Sequence, residues 1–196
     1  EASHAGTALS IAAGIEKGQQ HTKNQNRVIV VVGDGSLGEG MALEALVFLG
    51  SIESNIIIVL NDNGMAIAPT VGSFGTMFMS EDWKIHSQHF FSAMGFHYLP
   101  VSDGHSIEKL VENLSAAKDN NGPTLVHVKT NKGQGLALAK DHPYKMHFSQ
   151  PFNLESGVGV AATISGETMG SVASKAIEAI MALDSEVFVV TPATPY

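Results

Sequence analysis

A chain of 196 residues, 44% hydrophobic and 15% charged, is long enough for one good core, or for one domain and part of another, and has the composition of an ordinary globular protein. Nineteen acids against eleven bases leave a net charge of −8 with no Lys/Arg cluster, so a nucleic-acid-binding surface is excluded. Cysteine is absent, which rules out disulfide scaffolds, thiolate metal sites and cysteine nucleophiles; no apolar run has the length of a membrane span, and no signal segment opens the chain. A cytoplasmic protein with no membrane partner is expected.

The first segment, HAGTALSIAAGIEKG, places Ala8, Ile11, Ala12 and Ile15 at helical spacing, with Gly18 as its expected stop and a polar loop behind it. RVIVVV, 27–32, reads as a central parallel strand buried on both faces. Gly33 to Gly38 form a turn, and 39–49 carry apolar residues at the spacing of a crossover helix. NIIIVLN, 55–61, is a second buried strand ending in a polar tip. The Gly-, Met- and Phe-rich stretch 70–82 has no period and is expected to be a mobile loop. Residues 83–95 are expected to be helical and FHYLPV, 96–101, to be a strand. Ser106 is the N-cap of a helix bearing Ile107, Leu110, Val111 and Leu114 on one face, with His105 capping it as well, and TLVHVKT, 124–130, is a further strand holding His127 in the core. Strand and helix alternating four times imply an α/β domain with a doubly wound parallel sheet over 1–150. A Gly- and Ser-rich linker, 151–166, leads to 167–196, where one helix, about 168–182, and one strand, 186–190, begin a second α/β domain too small to bury a core.

Gly33, Gly35 and Gly38 have the spacing of a dinucleotide-binding loop, but Asp34 stands between the first two. A carboxylate beside a pyrophosphate repels it, and the acid such a loop requires about 20 residues on is missing: Glu53 precedes the second strand, at the wrong end of the sheet for a ribose. A magnesium ion between Asp34 and a diphosphate removes the objection, with the helix start near Gly38 facing the anion. Further oxygens would come from the tip of the adjacent strand, Asn61, Asp62 and Asn63. Asp34 and Asn63 are 29 positions apart, the length of one crossover between neighbouring strand tips. Asp-Gly alone is ordinarily a turn and NDN after a strand ordinarily a polar loop; in this order, on these strands, they make a metal-diphosphate site.

GDG followed by NDN at this separation resembles the thiamine-diphosphate motif of the transketolase superfamily. SHAGTALSIAAGI, GDGSLGEGMALEAL, LNDNGMAIAP, SDGHSIEKL and TNKGQGLALAKDHPYKMH resemble, in order, segments of the 1-deoxy-D-xylulose-5-phosphate synthases, from the first residue to about Gly157 and more faintly beyond. That resemblance implies thiamine diphosphate and Mg²⁺ as cofactors, with Asp34, Asn63 and the backbone carbonyl of Met65 on the metal. It sets Gly35 and Ser36 against the diphosphate, Ser3, His4 and Ala5 on the cofactor, and Lys132 facing it. Leu136, where the family usually has an aromatic, contributes apolar contact only. His147 is implied near the reacting carbons as a proton donor or acceptor. Ser3 departs from the family's glycine at a point of close backbone approach.

The implied reaction decarboxylates pyruvate and transfers the two-carbon unit to glyceraldehyde 3-phosphate, a step toward isoprenoid precursors, thiamine and pyridoxal. The resemblance also implies missing parts. The family's first domain begins well before Glu1, a long insertion is replaced by a short loop between Pro69 and Phe90, and the glutamate that hydrogen-bonds the aminopyrimidine ring lies in the second domain, whose pyrimidine-binding part would only begin at 167–196. Alone, the chain is expected to be nearly inactive, and a homodimer or a complementing chain is the expected partner. Three alternatives stay open: transketolase-like ketol transfer, a non-catalytic diphosphate-binding or oligomerisation module, and, weakest, a nicotinamide dehydrogenase.

Overall fold

In the computed structural model, residues 4–22, 26–142, 146–147, 151–158 and 166–190 are described. Two compact units divide the chain, Glu1–Met146 and His147–Tyr196. The elements of the first, in order, are α1 (Ala8–His21), β1 (Ile29–Gly33), α2 (Asp34–Leu37), α3 (Gly40–Ser51), β2 (Ile57–Asp62), α4 (Gly72–Met79), α5 (Trp83–Ala93), β3 (His97–Val101), α6 (Ile107–Asp119), β4 (Thr124–Lys129) and α7 (Ala137–Asp141). All four strands are parallel, in the spatial order β1-β2-β4-β3. Each crossover is a helix, as parallel pairing requires. Gly33 pairs with Asn61, and Asp62 with Lys129, so the carboxyl ends of β1, β2 and β4 form one rim.

One face of the sheet carries the larger core. Leu9 and Ala12 of α1, Ala42, Leu46 and Leu49 of α3, Phe78 of α4 and Phe91 of α5 close over Val30, Val32, Ile58, Leu60 and Leu125. On the other face α6 lays Leu110, Leu114 and Ala117 over Ile57, Val126 and Val128. That second layer stops short of β1, which is an edge strand: Ile29 and Val31 are 60% and 64% exposed. The expectation of a central strand buried on both faces is corrected accordingly; a β-branched run registers affinity for a sheet, not the number of layers above it.

Three further expectations change. Gly18 does not stop α1, which runs one turn further to His21 and ends at Thr22, whose hydroxyl bonds the Gly18 carbonyl at 3.1 Å. The stretch 70–82 contains α4, held by packing rather than by its own periodicity: Phe74 stacks on Phe78, and Phe78 on Phe91. Gly75 lets this helix fold back on its leader, since a Cβ there would stand 2.3 Å from the Thr70 carbonyl oxygen. Ser106 accepts the Lys109 amide as the cap of α6, but His105 does not cap; its Nε2 accepts the backbone N–H of Asn131 at 2.9 Å, tying the β3–α6 turn to the loop after β4.

In the second unit α8 (Met169–Leu183) starts at a capping box of Thr168 and Ser171 and buries none of its residues. Residues 186–190 form no strand; Phe188 and Val190 are exposed. A strand exists only by pairing, and among the described residues this segment has no partner.

Candidate functional site

At the end of β1 the backbone is still extended at Gly33, and Asp34 opens the single helical turn α2. Its carboxylate is almost wholly buried, 1% exposed. Oδ2 accepts the Thr70 hydroxyl at 2.5 Å, and Oδ1 faces the backbone N–H of Asn63 at 3.5 Å, the long limit of a hydrogen bond. None of the ion pairs among the described residues involves Asp34. Burial pushes its pKa up, the Thr70 hydrogen bond pulls it down, and the charge of Asp62 pushes it up again; the net direction is upward.

The β2 tip meets this loop directly. A Cβ on Gly35 would stand 2.6 Å from the Cβ of Ala66 and 2.9 Å from its Cα, so only glycine lets the two turns touch. Asn63 turns its Oδ1 onto the Met65 N–H at 3.0 Å. The turn 64–70 is closed by Ala66 N–H to the Ala68 carbonyl and Thr70 N–H to the Gly64 carbonyl, a pairing that leaves the Met65 carbonyl out. Lys132 donates its Nζ to the Ala66 carbonyl. Burial lowers the Lys132 pKa, with the attraction of Asp34 opposing the shift.

Asp62, one residue from Asn63, is a different kind of acid. Wholly buried, it accepts Lys129 Nζ at 2.6 Å and His127 Nε2 at 2.7 Å on one oxygen and the Gly64 N–H at 3.1 Å on the other. Burial alone would raise its pKa, but the His127 and Lys129 hydrogen bonds outweigh that and hold the carboxyl below its usual range. Burial keeps His127 below its ordinary pKa despite Asp62. A neutral His127 that donates from Nε2 accepts the Tyr98 hydroxyl at Nδ1, 2.8 Å away, which satisfies the whole chain of groups. Asn61 is also occupied, accepting the Thr130 hydroxyl at 2.7 Å.

The structure therefore brings together Asp34, Gly35, Asn63, the Met65 turn and Lys132. Ser36 is half-buried in the turn between them and α3, its carbonyl bonded to the Glu39 N–H. His4 and Ala5 are exposed; the neighbouring Gly6, at φ +80°, lies against Glu39, the residue after Gly38, so this segment borders the same loop. Ser3 lies outside the described residues. Leu136 is half-buried just before α7. His147 is exposed and opens the second unit, whereas Asp34, Gly35, Asn63, Met65 and Lys132 lie in the first. Sequence reasoning missed Lys129, Thr70 and the bonding of Asp62. The signal for the pair was there: His127 and Lys129, two apart in a buried strand, share one face and need an acid opposite.

As donors, Asp34, the Asn63 amide oxygen and the Met65 carbonyl are hard oxygens of the kind magnesium takes. No group of three His, Cys, Asp or Glu among the described residues could hold a metal, so the candidate set is one carboxylate with neutral oxygens. Such a set leaves coordination positions for phosphate oxygens and water.

The family model described as 1-deoxy-D-xylulose-5-phosphate synthase matches residues 1–84 and 79–130, two segments that overlap at the corner between α4 and α5. The 1-deoxy-D-xylulose-5-phosphate synthase of Listeria monocytogenes serotype 4b is 36% identical over 204 residues, covering 100% of this chain and 34% of that protein. Its namesake in Lysinibacillus sphaericus is 33% identical over 234 residues, 100% of this chain and 37% of that one. Among solved structures, a transketolase mutant from Pichia stipitis is 27% identical with a TM-score of 0.56, over 68% of this chain and 20% of its own. The chain thus spans about a third of the length of the curated relatives it matches. With the family model matching well over half of its residues, the chain belongs to the 1-deoxy-D-xylulose-5-phosphate synthase family.

Proposed function

We propose that this chain holds the diphosphate end of thiamine diphosphate through Mg²⁺, as part of a transferase that decarboxylates pyruvate and passes the two-carbon unit to glyceraldehyde 3-phosphate. One observation carries the reading: Asp34 is buried at a strand tip beside Asn63 with no ion-pair partner among the described residues. An ionised carboxylate in that position is costly unless a cation joins it. Family membership supports the choice of cofactor and reaction.

Asp34, Asn63 and the Met65 carbonyl are the metal ligands of this reading, and Gly35 and Ser36 lie against the diphosphate. Lys132, held at the Ala66 carbonyl, places a positive charge next to the loop. Ser3, His4, Ala5 and Leu136 line the cofactor, and His147 moves a proton at the reacting carbons. When bound, thiamine diphosphate supplies the electron sink for the decarboxylation. The chain's own part is anchoring, orientation and charge balance. In this reading 1–150 is the diphosphate-binding domain, 151–166 the linker and 167–196 the start of the pyrimidine-binding domain; the working enzyme is a cytoplasmic homodimer, or is completed by another chain.

The test is calorimetric titration of thiamine diphosphate with and without Mg²⁺. Metal-dependent binding that disappears in Asp34→Ala is expected; binding indifferent to Mg²⁺ or to that substitution overturns the reading. A second reading, ketol transfer between sugar phosphates, is favoured by the likeness to solved transketolases. Comparing pyruvate with a ketose phosphate as donor separates the two.

A further inference from the structure

The residue that no expectation used is Lys129. From the end of β4 its Nζ reaches Asp62 at 2.6 Å and the Phe78 carbonyl at 2.9 Å, 5.2 Å from the centre of the Trp83 ring. Phe78 lies in the last turn of α4, where carbonyls lack donors within the helix and a cation is favoured. The other oxygen of Asp62 holds the Gly64 N–H. Gly64, at φ +73°, is also pressed by α4 directly: a Cβ there would stand 3.0 Å from the Met79 sulfur. The end of α4 thus meets the turn carrying Asn63 and Met65 twice, through Met79 on Gly64 and through Lys129 on Asp62. Trp83, the first residue of α5, closes the corner by packing on His127 with ring centres 4.7 Å apart.

We propose that Lys129 and Asp62 are positioning residues through which the α4–α5 corner sets the geometry of the turn 62–65, so that occupation of that turn by metal and diphosphate and the packing around Trp83 are one coupled equilibrium. The inference rests on the reading of Asp34, Asn63 and Met65 as a magnesium-diphosphate site. A buried ion pair is weak evidence for stability by itself. What gives this one a role is its connectivity: each oxygen of Asp62 has a different task, one facing the corner and one facing the turn. Coupling is reciprocal; if the corner shapes the turn, a ligand on the turn must act on the corner.

Trp83 is the only tryptophan in the sequence and reports that corner without labelling. The experiment adds thiamine diphosphate and Mg²⁺ to the full chain, following binding by calorimetry and Trp83 emission in parallel, for the native sequence and for Lys129→Met, which keeps the length and removes the charge. The expected result is a change in Trp83 emission that saturates with the calorimetric signal, and in Lys129→Met a loss of that change with an affinity at least tenfold weaker, both chains being measured at a temperature where each is fully folded. Calorimetric binding with no change in Trp83 emission overturns the coupling, as does Lys129→Met binding within twofold of the native chain. Should Lys129→Met fail to fold, the Trp83 response of the native chain decides alone. Absence of calorimetric binding to the native chain overturns the magnesium-diphosphate reading itself, and this inference with it.

Discussion

Asp34 and Asp62 stand at the tips of paired strands, both shielded from water, and the fold answers each of them differently. Asp62 receives a lysine, a histidine and a backbone N–H, so every part of its charge is matched from within. Asp34 receives one hydroxyl and one distant amide, and its neighbour's negative charge makes its position worse. Two acids equal in a sequence string are thus one matched by the fold and one left short of partners, which the proposed reading gives to a ligand.

The comparison breaks most visibly if Asp62 is removed. Asp62→Ala leaves the half-buried Lys129 without its carboxylate and the buried Nε2 of His127 without its acceptor, and a loss of about 3–5 kcal/mol in urea unfolding is expected. A loss below about 1 kcal/mol would show that the network carries no weight. Next comes the contact between the two tips. Gly35→Ala sets a methyl inside the space of Ala66, backbone included, and should cost about 1–3 kcal/mol while weakening cofactor affinity, both read from one thermal and one calorimetric titration.

Acid should act on the Asp62 side with a definite sign. His127 is held below its ordinary pKa of 6.5, so on acidification the unfolded chain takes up a proton that the folded chain refuses. Its contribution is therefore complete above about pH 6.5 and is lost as the pH falls below that value. The depressed pKa of Asp62 adds its own loss only at lower pH, beneath the ordinary carboxylate value. Between pH 7.5 and 5.5 the urea midpoint should drop, and His127→Gln should show a smaller drop. Equal drops would mean that His127 titrates freely.

How far the sequence spoke depends on whether a property is local. The β-branched runs at 27–32 and 55–61 and the polar tips after them were enough to give a parallel sheet and to set Asp34 beside Asn63, because strand, crossover and tip follow from spacing. Helix α4 was not legible: its two glycines weaken any periodicity, and it exists because Phe74 and Phe78 find Phe90 and Phe91 across the fold. The exposure of Ile29 and Val31 and the missing strand at 186–190 fail for the same reason, since both turn on what lies alongside. The division of labour between the acids of GDG and NDN also needed the third dimension, because Lys129 and His127 come from a strand more than sixty residues away.

The central claim, that Asp34 is left uncompensated for a metal-bound diphosphate, is tested most directly by the melting temperatures of the native chain and of Asp34→Asn, each measured without ligand and with Mg²⁺ plus thiamine diphosphate. Without ligand the variant should melt higher, by the few degrees that about 1 kcal/mol gives, because it relieves a buried unpaired charge. With ligand the order should reverse, the native chain rising and the variant staying where it was. If the native chain melts higher in both conditions, or if both rise alike on adding ligand, Asp34 is not the anchor.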